Sequence, residues 1–272
     1  MAANRRSLAI TNAYGQRLKA VEARVVQQSR RTWQVTGDFD ADYAAWFEVM
    51  APAVSAAQAL NLRLTAAYLG AFQSSETRRV VNPPQIDPEP YVGRTRDGRT
   101  FEEGWSSPPI KSKVAMAEGK TIEEAAKIGF EASSNLIKLD TYAAARNALS
   151  DQFRSNDQII GYRRVLNGED DCGGCMAAAS NDILAPEDDF ETHPGCDCTG
   201  EAVFADVEDR FQHPTGAEVF SRMSAEERIN AVGLEAAQLL DSDQIALRDL
   251  AGQSPTVLGD NFLTQRPLVD VT

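Results

Sequence analysis

The chain has 272 residues, 43% of them apolar, and a formal net charge of −13. That length permits one large or two modest domains with a real core, and no run approaches the roughly eighteen apolar residues that a membrane-spanning helix needs. The charge is uneven: residues 1–168 carry 22 Lys+Arg and 18 Asp+Glu (net +4), whereas residues 169–272 carry 5 and 22 (net −17), an acidic part that nucleic acid should repel.

Met1-Ala-Ala-Asn-Arg-Arg leads into a mixed polar stretch with no apolar h-region, so it is not expected to be a signal peptide. Residues 5–35 contain few helix breakers and predict a helix with Leu18, Val21, Val25 and Val26 on one side. Asp38 and Asp40 suit the cap of a second helix, along which Tyr43, Trp46, Phe47, Met50 and Val54 recur at helical spacing. Such an aromatic stripe reads as core. Pro52 is expected to kink or split this helix before the pattern resumes through Leu60, Leu64, Tyr68 and Phe72.

Residues 74–110 lose the period. Asn82-Pro-Pro and Asp87-Pro-Glu-Pro read as a linker or an extended crossing segment. The run from Arg94 to Thr100 reads as a hairpin turning at Asp97-Gly98, and its arginines are a candidate phosphate contact. Thr121-x-x-Glu124 is a capping box for a helix lined by Ala125, Gly129, Ala132 and Leu136. Asp140 is read as the cap of a separate following helix. On that helix Tyr142, Ala145, Leu149 and Phe153 form the buried face and Arg146 faces outward.

Gln158 to Leu166 is β-rich and ends on the turn pair Asn167-Gly168. Then come all four cysteines of the chain within 27 residues: Cys172-Gly-Gly-Cys175 and His193-Pro-Gly-Cys196-Asp-Cys198. Two thiols two residues apart can present both sulfurs to one ion, and a second cluster brought alongside completes a tetrahedral Zn²⁺ shell. Cys172, Cys175, His193, Cys196 and Cys198 are five candidates for four places. Two disulfides would suit a secreted domain, and a redox pair at Cys172/Cys175 would need a thioredoxin-like frame that is missing here. The acidic triplet Glu169-Asp170-Asp171 disfavours free thiolate and favours a cation. Glu201 to Phe204 reads as a short returning strand, so the expectation is one structural zinc per chain in a strand–knuckle–loop–knuckle–strand arrangement.

Beyond it, Ser224-x-x-Glu227 is a further capping box, opening an amphipathic helix with Ile229, Val232, Ala236, Leu239 and Leu240. A short helix is expected around Asp243–Leu250, and from Ser254 the chain has no period. Catalytic signals are weak. His193 lies in the cysteine cluster, His213 stands alone in a turn, and neither GxSxG nor HExxH occurs.

The segment Gly161 to Cys175 together with His193-Pro-Gly-Cys-Asp-Cys resembles the Mu F-like minor head proteins of tailed bacteriophages, most closely those of actinobacteriophages. The resemblance is sharp over residues 158–204 and softer over 80–157. It departs from the family at Asp197, where relatives often carry Arg. It implies a virion structural protein that binds the portal protein, acts in procapsid assembly and DNA packaging or ejection, and resides inside the head. During assembly it would be in the host cytoplasm. The major capsid or scaffold protein would be a further partner, packaged DNA at most a secondary contact, and no membrane is involved. Some relatives are labelled capsid maturation proteases, which is the rival reading. The expected fold is mainly α with a small zinc-stapled β element (α+β). Its expected segments are an N-terminal helical region (1–76), a Pro/Gly-rich linker or hairpin (77–110), a Mu F-like domain (111–204), and acidic C-terminal helices with a tail (205–272).

Overall fold

A computed structural model describes residues 2–167, 173–180, 183–188, 190, 196–205, 207 and 213–251. The fold is mainly helical with one small antiparallel sheet. Helix α1 spans Ala2–Thr32, α2 Phe39–Thr77, α3 Phe101–Gly104, α4 Ser107–Ala117 and α5 Ile122–Ser155. Strand β1 (Ile159–Val165) and helix α6 (Gly173–Ala178) precede β2 (Thr199–Phe204). Helices α7 (Gly216–Ser221), α8 (Ala225–Val232) and α9 (Leu234–Asp241) follow, then a 3₁₀ turn at Leu247–Leu250. No helix among the described residues is long and apolar enough to cross a membrane. The C-terminal tail read from Ser254 onward lies outside the described residues.

Two compact units are built from non-consecutive pieces: residues 16–67 with 83–148, and residues 1–15 with 68–82 and 149–272. Helices α1, α2 and α5 each give residues to both units.

In the first of these units an aromatic core forms where the α2 stripe meets α1 and α3. Trp46, Met50, Val54, Trp105 and Ile137 are fully buried with Val21, Val25 and Phe101. Trp105 stacks on Phe101 with ring centroids 4.2 Å apart, and Trp33 meets Trp46 edge-on at 5.8 Å. Asp38 caps α2 by accepting from the Ala41 amide at 3.1 Å. Of the kink or split expected at Pro52, the split does not occur: α2 is one helix of 39 residues with Pro52 inside it. Pro52 and Glu48, the residue whose carbonyl loses its helical partner, are both exposed. The hairpin forms as a single antiparallel bridge, Arg94 with Thr100, and the Thr95 amide donates to the Arg99 carbonyl at 2.8 Å.

The expected break at Asp140 does not exist. The Thr121–Glu124 box opens α5, which then runs unbroken for 34 residues with Asp140 in its middle, 2% exposed. Its carboxylate is used across the fold instead of along the helix: Oδ1 accepts from the Arg96 amide at 2.8 Å and Oδ2 from Trp105 Nε1 at 2.6 Å. Gln58 extends this network, donating to the carbonyls of Asp140 (2.9 Å) and Arg94 (2.7 Å) and accepting from the Gly93 amide (2.8 Å). Arg146, expected outside, is buried with its guanidinium 4.6 Å from the centroid of the Tyr142 ring. Helices α4 and α5 approach closely because Gly129 has no Cβ: one placed there would collide with the Ser112 side chain.

In the second unit, β1 and β2 pair from Ile159↔Phe204 to Val165↔Thr199, with an irregularity between Ile159 and Gly161. Tyr162 stacks between Phe153 and Phe190, and its backbone bridges to Leu184 on the other edge of β1. Phe204 packs on Phe72, and the Tyr68 hydroxyl donates to the Gly200 carbonyl at 2.9 Å. The helix expected through Ile229 to Leu240 is broken at Gly233, whose φ of +87° only glycine adopts without strain, giving α8 and α9. These helices, α6, α7 and the 3₁₀ turn close a small core around Met176, Phe220, Val232 and Leu250.

Candidate metal centre

Three structural features bring Cys175, Cys196 and Cys198 together. Cys175 sits in the first turn of α6, Cys196 and Cys198 lie directly before β2, and Asn167, just past β1, fastens the approach to β2. The Asn167 side chain donates to Thr199 Oγ1 at 2.8 Å and to the Asp197 carbonyl at 3.2 Å. Helix α6 is fixed by close backbone packing. A Cβ at Gly216 would collide with the Met176 carbonyl, and one at Gly173 with the Ala231 carbonyl. The Gly216 amide donates to the Ala179 carbonyl at 3.1 Å.

The resulting cluster is buried: Cys175 is 2% exposed, Cys196 3% and Cys198 0%. The three sulfurs lie within 4.8 Å of one another, and Sγ of Cys175 and Cys196 are 3.5 Å apart. A disulfide would hold two of them at about 2.0 Å; these three cysteines are free thiols. Around a tetrahedral ion with metal–sulfur bonds of about 2.3 Å, neighbouring sulfurs sit about 3.8 Å apart. The cluster therefore fits a metal ion in donor type and spacing, and these three cysteines can hold one. Among the described residues no other trio of Cys, His, Asp or Glu converges in this way. Cys172 and His193, the other two sequence candidates, lie outside the described residues.

The hydrogen bond from Cys175 lowers the pKa of Cys198, but the contact with Cys196 and burial outweigh it, so the thiol is pushed well above its ordinary value. A raised pKa keeps the Cys198 thiol in its neutral form when no cation is bound. Buried neutral thiols are poor nucleophiles, so the site suits an ion that fixes structure.

Sequence reasoning missed the surroundings of the cluster. Phe190 packs against it and Arg164 lies over the Phe190 ring; neither has a spacing signal, because their placement depends on strand pairing and a loop. His213 does not stand alone. It is 8% exposed, and its Nε2 lies 2.8 Å from Oε1 of Glu201 on β2. Compared with known proteins, the chain matches no family model, no curated protein and no solved structure.

Proposed function

We propose that this chain is a portal-associated minor head protein of a tailed phage, a virion structural component acting in procapsid assembly and in DNA packaging or ejection. One observation carries most weight. Sulfurs from both halves of the CxxC…HPxCxC motif meet in one buried cluster beside a paired strand hairpin, the arrangement that the Mu F-like resemblance implies. In this reading the ion is a structural zinc, one per chain, held by Cys175, Cys196 and Cys198 with the fourth place taken by Cys172 or His193. The zinc staples a sheet of two strands, which has too little core to be stable alone. The acidic part after residue 168, net −17, argues against DNA as the main contact. The N-terminal helices offer the surface for the portal ring. The major capsid or scaffold protein is a second partner in the same compartment, first in the host cytoplasm and then inside the head near the portal.

Co-expression with the cognate portal protein tests this. The chain should co-purify with portal rings after nuclease treatment and carry about one zinc per chain. Release by nuclease, or absence from portal rings, would contradict the reading. Specific cleavage of the major capsid protein by the purified chain, abolished by a point substitution, would replace it with the maturation-protease reading.

A further inference from the structure

A buried cation is linked to the cysteine cluster through one aromatic ring. Arg164 lies on β1 opposite Gly200 of β2 and is 5% exposed. Its guanidinium carbon is 4.3 Å from the centroid of the Phe190 ring. Phe190 in turn packs against Cys175, Cys196 and Cys198. A buried guanidinium is costly unless negative charge balances it.

The charge inventory explains why a cation belongs there. Three thiolates on a divalent ion leave one net negative charge in a site shut off from water. Adding a neutral histidine leaves that excess unchanged, and adding a fourth thiolate increases it. An arginine keeps its charge under any burial and can stack on an aromatic face while pointing its charge at an anion.

We propose that Arg164 is the counter-cation of the metal centre, offsetting the negative charge that the metal-bound thiolates leave in the buried site. This rests on the metal reading above. Arg164 acts through the ligands: it touches no substrate and is a positioning residue. Removing its charge should weaken metal retention on the scale seen when a partner of a first ligand is lost, about 10- to 100-fold.

The test compares the full-length wild type with Arg164→Gln and Arg164→Lys. Metal content is measured first, then metal release to a competing chelator, then the sulfur-to-cobalt charge-transfer band after Co²⁺ loading. Far-UV circular dichroism checks that the helices persist. Wild type should hold about one metal ion. Arg164→Gln should release it about 10- to 100-fold faster, and its charge-transfer band should move to longer wavelength because the sulfurs lose a neighbouring positive charge. Arg164→Lys keeps the charge and loses the planar stack on Phe190, so it should stay close to wild type. Release and spectrum unchanged in Arg164→Gln would overturn the proposal. So would Arg164→Lys releasing metal as fast as Arg164→Gln, since the stack and not the charge would then matter. If Arg164→Gln does not fold, the lysine variant decides: wild-type release supports the proposal, and fast release or failure to fold overturns it. Absence of metal from the wild type overturns the metal reading and this inference together, and it is seen before any substitution is compared.

Discussion

Asp140 should make the unit around it less stable as the pH rises from about 4 to about 6. Burial raises its carboxyl to about 6, against the pull of the hydrogen bonds from Trp105 and the Arg96 amide. In the unfolded chain the same group titrates near 3.9. Between those values the folded state binds the extra proton, so its contribution is fully present below about pH 4 and is lost as pH rises through about 6. The gap between the folded and unfolded values corresponds to about 3 kcal/mol. Asp140→Asn removes the titration while keeping one acceptor. At neutral pH it loses one charge-assisted hydrogen bond, worth about 1.5–3 kcal/mol, and gains relief from burying the charge, so the two nearly cancel. The tryptophans Trp33, Trp46 and Trp105 all lie in the unit of residues 16–67 and 83–148, so their fluorescence reads its unfolding. Urea titrations followed by fluorescence from pH 4 to 7 should show wild type losing up to about 3 kcal/mol relative to Asp140→Asn. A difference that stays flat with pH, or wild type gaining on the variant as pH rises, would refute the reasoning.

Three further outcomes follow from the second unit. Metal affinity should rise with pH, because the buried thiols must lose protons to bind, and proton release measured on metal addition should match that slope. Gly216→Ala should destabilise by about 1–3 kcal/mol in thermal melts, since α7 cannot approach the Met176 carbonyl with a Cβ present. Glu201→Ala should cost about 1–3 kcal/mol in chemical denaturation, because His213 loses the buried partner of its ring nitrogen.

Much of the helical fold can be read from the chain. The boxes at Thr121 and Ser224 form as local rules require, since both partners lie within one turn. The cysteine spacing likewise marks Cys175, Cys196 and Cys198, which converge in one buried cluster, because thiols that can share an ion recur at short, restricted spacings. Asp140 misleads for a physical reason. An aspartate read as a cap is expected to bond its own helix, yet here its partners are 35 and 44 residues away. Gly233 and Pro52 fail in opposite directions. The glycine breaks a sound apolar period through its positive φ, and the proline is tolerated because its turn faces water. Arg146 reads as facing outward and His213 as standing alone, and Arg164 carries no signal beyond its β-rich stretch. Each is buried against an aromatic ring or a carboxylate supplied by tertiary packing.

A cryo-electron-microscopy reconstruction of the intact particle, without imposed icosahedral symmetry, tests the central claim most directly. Density matching the long helices α1, α2 and α5 should appear inside the head at the portal vertex, in contact with the portal ring. Density for the chain on the outer capsid lattice instead, or particles that lack the chain both before and after DNA packaging, would contradict it.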